Sequence, residues 1–165
     1  MIKRPVRIEG DIAYVPLTQG YTAIIDAADV PLADMWNWCA HVQAGRVYAQ
    51  RTDHSGPKKR KVYLHRAIMG DPDGFDVDHR DGDGLNNRRS NIRKATTSQN
   101  LRNQRIRSDN TSGLKCVSLS HGKWRARITV NGKTKTIGRF PTPEAAYAAY
   151  CKASLQMHGE FGRIV

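Results

Sequence analysis

Asn131-Gly132 constrains this chain more than any other pair of residues. It lies between Trp124-Arg125-Ala126-Arg127-Ile128-Thr129-Val130 and Lys133-Thr134-Lys135-Thr136-Ile137. Both residues tolerate positive φ, so the two β-prone runs must fold back on each other through a two-residue hairpin turn. An earlier strand over Leu114 to Leu119 would make three. Thr142-Pro143-Glu144 then supplies an N-cap, a first-turn proline and a first-turn acid, and Gly159 marks a stop, which predicts a helix from Pro143 to His158. Ala145, Ala146, Ala149 and Ala153 give that helix a small-residue stripe for close approach to the sheet. Residues 114–165 therefore read as a three-stranded antiparallel sheet plus one helix.

Arg107-Ser108-Asp109-Asn110-Thr111-Ser112-Gly113 has linker composition and places the domain boundary at 108–113. The first domain, 1–107, opens with a β-rich segment. Ile12 to Ile25 holds short β-prone runs broken at Gln19-Gly20, and Asp29 to Trp38 reads as a short helix with Leu32, Met35 and Trp36 on one side. Val47-Tyr48-Ala49 and Val62-Tyr63-Leu64 read as strands around a turn with a basic flank, Asp53 to Lys61. The next unit, 75–106, has a strand ending at His79, a Gly-Asp loop and a second strand near Ile92 to Ala95. A helix follows, capped by Thr96 or Thr97 and carrying Gln99-Asn100-Leu101-Arg102-Asn103-Gln104-Arg105. The fold class is α+β.

With 27 Lys and Arg against 15 Asp and Glu, the 165-residue chain carries a formal charge of +12 and a pI near 10.0. Such an excess suits a polyanionic partner, and double-stranded DNA is the expected one. Cys39, Cys116 and Cys151 are odd in number and widely spaced, which supports neither a disulfide framework nor a structural zinc site. Met1-Ile2-Lys3-Arg4-Pro5 lacks the apolar core of a signal peptide, and no segment approaches the ~20 apolar residues of a membrane span. A soluble intracellular protein without a membrane partner is expected.

The chemistry concentrates in Asp78-His79-Arg80-Asp81-Gly82-Asp83-Gly84-Leu85-Asn86-Asn87, Ser90-Asn91-Ile92-Arg93 and Asn100. Hydrolysis of a phosphodiester needs an activated water, a cation to offset charge in the transition state, and assistance to the leaving oxygen. His79 suits the first task because its unperturbed pKa lies near neutrality. Asp78 and Asn100 offer oxygen donors to a hard cation such as Mg²⁺, which keeps several waters. Alternation turns Asp78 away from His79, so the strand end must bend for both to serve one site. A calcium loop starting at Asp81 fails, since Asn86 stands where glycine is needed and Ile92 where glutamate is needed. His65 reads as a buried, hydrogen-bonded histidine, and His41, His54, His121 and His158 have no ligand-like spacing.

In the C-terminal hairpin, alternation places Arg125, Arg127, Thr129, Thr134 and Thr136 on one face, with Trp124, Ala126, Ile128 and Ile137 on the other. The basic face carries no acidic residue. It can meet a DNA groove, where arginine contacts phosphate or binds guanine through two hydrogen bonds.

Leu64-His65-Arg66, Val77-Asp78-His79, Leu85-Asn86-Asn87-Arg88, Ser90-Asn91-Ile92-Arg93 and Gln99-Asn100 resemble the HNH nuclease motif of phage-type homing endonucleases, over about residues 60 to 106. The resemblance implies a ββα-metal finger with His79 as general base and Asp78 and Asn100 as metal ligands. It also implies Asn91 as the residue that braces the loop and orients the base. Mg²⁺ is the implied ion, with Mn²⁺ able to substitute. The third motif position is asparagine, a variant found in the family, and the cysteines that bind zinc in some relatives are missing, so no structural zinc is expected. Residues Ser112 to Gly162, through Gly122-Lys123-Trp124-Arg125-Ala126-Arg127-Ile128, Ile137-Gly138-Arg139-Phe140, Thr142-Pro143-Glu144-Ala145-Ala146 and Ala149-Tyr150, resemble the apetala/ethylene-response-factor DNA-binding domain. That similarity implies a sheet lying in the major groove, with Lys115, Ser118, Ser120, His121 and Lys123 joining the face already named. Cys116 stands where relatives commonly have glycine. Together the resemblances imply a freestanding endonuclease that nicks DNA as a monomer, in the cytoplasm of a phage-infected bacterium. The second reading is a sequence-specific DNA-binding or regulatory protein whose nuclease finger is a relic.

Overall fold

Alternation decides the first sheet. In β2 (Ile12–Pro16) Ala13 and Val15 are buried between half-buried neighbours, and in β3 (Thr22–Asp26) Ala23 and Ile25 repeat the pattern. One face of the sheet therefore belongs to the core. β1 (Arg7–Glu9) turns back onto β2, and the antiparallel order is β1-β2-β3. The computed structural model describes residues 3–103, 106, 109–162 and 164. It divides into two compact units, Met1–Ala95 and Thr96–Val165.

The helix expected from Asp29 to Trp38 is a single turn, α1 (Val30–Ala33). Trp38 ends it. Its indole is fully buried and Nε1 donates to the Ala33 carbonyl at 2.9 Å, which draws the chain into the core where a second turn would have formed. Met35 is exposed, and Trp36 lies at the surface under the Arg51 guanidinium, 4.1 Å from the ring centroid. The apolar residues at helical spacing were therefore not a buried stripe. A second sheet has the order β4-β5-β6, from β4 (Cys39–Gln43), β5 (Arg46–Asp53) and β6 (Arg60–Tyr63). Ala44 and Gly45, both at positive φ (48° and 73°), make the turn into β5. Leu64, read as the end of a strand, instead opens the short helix α2 (Leu64–Ile68) and is fully buried.

β7 (Asp76–His79) and β8 (Ile92–Ala95) form an antiparallel pair in which Asp78 faces Arg93 and His79 faces Ile92. Val77 and Ile92 join the core with Ile25, Trp38 and Leu64.

In the second unit α3 (Thr97–Arg102) starts from a capping box: the Thr96 hydroxyl accepts from the Gln99 backbone, and the Gln99 side chain accepts from the Thr96 backbone. Gln104-Arg105 of the expected helix and Arg107-Ser108 at the start of the expected linker lie outside the described residues. α3 groups with the second unit, whereas the sequence placed the boundary at 108–113. β9 (Val117–Ser120), β10 (Lys123–Val130) and β11 (Lys133–Phe140) form a sheet of order β11-β10-β9. Asn131 and Gly132 take φ 51° and 74°, as the hairpin turn requires. α4 runs Pro143–His158, with the Thr142 hydroxyl accepting from the Ala145 backbone at 3.2 Å. It buries Ala146, Tyr150 and Ala153, and Val117, Ala126, Ala146 and Tyr150 form the core beneath the sheet.

The β10–β11 ladder slips by one residue. Ala126 faces Gly138, but Arg127 faces Thr136, so Ile137 is an extra residue between them and packs on the core. This β-bulge reverses the alternation beyond it and sets Arg139 opposite Arg125. Among the described residues no helix is long and apolar enough to cross a membrane.

Candidate active site

His79 ends β7 at 6% exposure, and what fixes its ring is Asn87, which is fully buried. Asn87 Nδ2 donates to the Leu85 carbonyl at 3.0 Å, so the amide must present Oδ1 to the imidazole. His79 Nε2 accordingly donates to Oδ1 at 3.1 Å. In the neutral ring the hydrogen then sits on Nε2 and the lone pair on Nδ1. Burial holds the His79 pKa below the ordinary histidine value, against the Asn87 acceptor and the carboxylates of Asp81, Asp78 and Asp83, which favour the charged form. The ring is thus an unprotonated base at neutral pH.

The loop between the strands is braced by Asn91. Its Nδ2 donates to Asp81 Oδ1 at 2.9 Å and to the Asn86 carbonyl at 2.7 Å, while its Oδ1 accepts from the Asp81 backbone at 3.1 Å. Asp81 also accepts from the Asp83 backbone and from Asn86 Nδ2, each at 2.8 Å. Burial pushes the Asp81 carboxyl up, but these hydrogen bonds outweigh it and hold the group below the usual carboxylate range. Asn91 therefore bonds the loop, whereas Asn87 bonds the histidine.

The loop is seated on the rest of the unit. Ile24 donates to the Leu85 carbonyl at 2.8 Å and accepts from Asn87 at 2.7 Å. Arg88 Nε reaches Asp26 at 2.8 Å, and Arg89 forks onto Asp29 through Nη2 at 2.7 Å and Nε at 3.0 Å. At Gly84 an added Cβ would lie 2.4 Å from the Val47 carbonyl and 2.6 Å from the Tyr48 ring, so only glycine fits.

Asp78 is buried, and its Oδ2 accepts from Arg93 Nη2 at 2.8 Å and Nε at 3.0 Å. Alternation keeps it on the Arg93 side of the ladder. Asn100 lies half-buried on α3, in the second unit. Among the described residues no three His, Cys, Asp or Glu side chains are arranged to hold a metal. The donor set expected from the sequence is one carboxylate and one amide, both oxygen. That set fits a hard divalent cation that takes most of its ligands from water and phosphate, and it does not fit zinc.

His65 is buried as expected, yet its Nδ1 is buried without a hydrogen-bond partner. Its ring stands 4.9 Å from that of His79. His65, Asn87 and Tyr48 are neighbours of His79 to which sequence reasoning assigned no such role; the asparagine pair of Leu85-Asn86-Asn87-Arg88 carried a signal, but not which asparagine reaches the ring.

In the second unit Ser118 faces Arg125, Ser120 faces Lys123, Thr136 faces Arg127 and Thr134 faces Thr129, the two threonine hydroxyls 2.8 Å apart. Arg139 joins this face through the bulge. Arg125 Nε and Ser118 Oγ are buried without a partner, and none of the three strands contains an acidic residue. His121 occupies the β9–β10 turn at φ 53°, its Nδ1 3.1 Å from Ser120 Oγ. Lys115 is separate: its ammonium donates to the Arg102 carbonyl at 2.6 Å.

Residues 62–102, which include β7, β8 and α3, match the HNH endonuclease family. Protein 3.8 of Escherichia phage T7 is 32% identical over 108 residues, covering 64% of this chain and 88% of that protein. An uncharacterized HNH endonuclease of Acanthamoeba polyphaga mimivirus is 36% identical over 107 residues, 61% of this chain and 56% of that protein, so the chain spans about half of its length. A buried histidine on a braced two-stranded hairpin, within a segment that matches the family and in a chain so similar to a phage protein, places this chain in the HNH endonuclease family, as a nuclease.

Proposed function

We propose that the protein is a metal-dependent DNA endonuclease of the phage homing type, in which a ββα-metal finger cuts and the C-terminal sheet reads the site. The observation that carries the reading is the His79–Asn87 hydrogen bond, because it puts the hydrogen of the neutral ring on Nε2 and leaves the lone pair on Nδ1. From there His79 takes a proton from the attacking water, and Asn91 keeps the loop that carries Asn87 in place. Asp78 and Asn100 are the proposed ligands of Mg²⁺, or of Mn²⁺ in its place. When bound, the cation offsets charge on the phosphorane-like transition state and on the leaving 3′ oxygen. Arg93 on Asp78 holds the carboxylate in position and limits the charge left buried without the ion.

Domain limits of 1–107 for the nuclease part and 114–165 for an apetala/ethylene-response-factor-like module belong to this reading, with 108–113 as linker. Ser118, Ser120, His121, Lys123, Arg125, Arg127, Thr129, Thr134 and Thr136 contact double-stranded DNA, with Lys115 at their margin. Supporting this is the uninterrupted basic and hydroxyl character of the face, where Arg125 and Arg139 stand opposite each other with no acid between them. Like charges paired across strands cost stability unless an anion answers them. One site per chain favours a monomer that nicks, acting in an infected bacterial cytoplasm.

Supercoiled plasmid incubated with the protein, with and without Mg²⁺, tests the proposal. Nicked circles that appear only with Mg²⁺ and vanish with His79→Ala are expected, together with a monomeric mass in gel filtration. Specific DNA binding without any cleavage in either metal would replace the reading with that of a regulator carrying a relic finger.

A further inference from the structure

Four rings converge at one buried place in the first unit. Tyr48 comes from β5, Tyr63 ends β6, His65 stands in the first turn of α2, and His79 ends β7. His65 meets His79 edge to face, with centroids 4.9 Å apart and planes at 76°. Tyr63 lies nearly parallel to His65 at 5.5 Å and 29°. Tyr48 touches both imidazoles, at 5.9 Å and 6.1 Å. These separations and tilts are those at which aromatic rings attract and hold a mutual orientation.

The hydrogen bond to Asn87 fixes where Nε2 of His79 lies, and the rings packed on the imidazole bear on its tilt. A change of tilt would swing the lone pair on Nδ1 away from any fixed water. The ring contacts oppose that motion. Of the other rings His65 approaches His79 most closely, and Tyr63 in turn stacks on it. Its Nδ1 has no hydrogen-bond partner, so its influence on His79 passes through the ring and not through a shared proton. Burial, and after it the proximity of His79 and Arg66, pushes the His65 pKa down to about 3, so the ring carries no charge that would repel a protonated His79.

We propose that His65 is a positioning residue of the cleavage reaction: its neutral ring, packed edge to face on His79, fixes the plane of the base and so the direction of the Nδ1 lone pair. This rests on His79 being the base. A flat ring is what the role requires, and neither polarity nor mere volume would replace it.

The test compares His65→Leu, which fills the space without a flat ring, and His65→Phe, which restores one. Both are assayed for metal-dependent nicking of an oligonucleotide duplex under single-turnover conditions, with His79→Ala alongside. For His65→Leu the cleavage rate constant should fall about 10- to 100-fold, with the half-saturating protein concentration within about twofold of wild type. His65→Phe should return to within about fivefold of wild type. Wild-type rates in His65→Leu would overturn the proposal, and so would a His65→Phe as slow as His65→Leu. Should His65→Leu fail to fold, by circular dichroism, Tyr48→Leu takes its place with the same expectation for rate and half-saturation. Cleavage by His79→Ala would instead refute the assignment of the base, whereas an inactive His79→Ala beside a fully active His65→Leu would sink this inference alone.

Discussion

Replacing Asn87 by alanine separates the fold from the chemistry at one residue. The side chain is fully buried and joins His79 Nε2 to the Leu85 carbonyl. Its loss does not strand that carbonyl, which still accepts from Ile24. It does strand Nε2, in a ring that is 6% exposed. A buried donor left without its acceptor costs ~1–3 kcal/mol, so the first unit should lose about 2 kcal/mol. In a unit of this size that corresponds to a fall of roughly 8–16 °C in melting temperature. The cleavage rate should drop as well, by about 100-fold, because the ring loses the bond that orients it and, for a smaller few-fold part, either ring nitrogen can then carry the hydrogen. Asn87→Asp separates the two effects: it keeps an acceptor on Nε2 but adds a negative charge that favours the imidazolium, so the acidic limb of the rate profile should move to higher pH. Thermal unfolding by circular dichroism and single-turnover nicking across pH 5 to 9 would measure both. A destabilised Asn87→Ala that cleaves at the wild-type rate would refute the claim that this hydrogen bond sets the tautomer.

Gly84→Ala should cost ~1–3 kcal/mol through overpacking on Val47 and Tyr48, read as a lower urea midpoint with an unchanged slope. His65 and His79 are both held below the ordinary histidine value, so below about pH 6.5 the unfolded chain binds more protons than the folded one and stability falls with pH. The loss approaches about 1.4 kcal/mol per pH unit for His65, continuing toward pH 3, and His65→Phe should flatten the urea-midpoint curve by that one contribution. Arg139→Ala should weaken DNA binding as much as Arg125→Ala and reduce the slope of log affinity against log salt by about one unit, while Arg139→Ala without effect would take this residue off the binding face.

Local chemistry was legible and long-range pairing was not. Asn131-Gly132 and the Thr142, Pro143 and Gly159 signals mark their turn and helix because each acts through its own backbone, and the observed helix has the bounds read from the sequence. Arg139 escaped because period-two counting from Thr134 and Thr136 puts it on the core side, and nothing local announces an extra residue at Ile137. The strand Cys39–Gln43 escaped because its half-buried residues show no alternation. The helix read at Leu32, Met35 and Trp36 failed because Trp38 found its acceptor in the core. At the site the asparagine-rich motif was plain, but which asparagine braces the loop and which bonds the ring depends on how Leu85 pairs with Ile24, sixty-one residues away in sequence. His65 looked like an ordinary core histidine for the same reason: its neighbour is His79, and only folding brings them together.

The seating of Arg88 and Arg89 on Asp26 and Asp29 bears on how such a nuclease could be exchanged between genes. The segment that matches the family begins at residue 62, so a crossover just before it would seem to transfer a whole module. It would not. Any crossover from residue 30 to residue 87 parts both arginines from their carboxylates and the loop backbone from Ile24, leaving the base on an unsupported hairpin. Productive shuffling should therefore either carry the codons for Ile24 to Asp29 along or bring in a donor with acids at the same two positions.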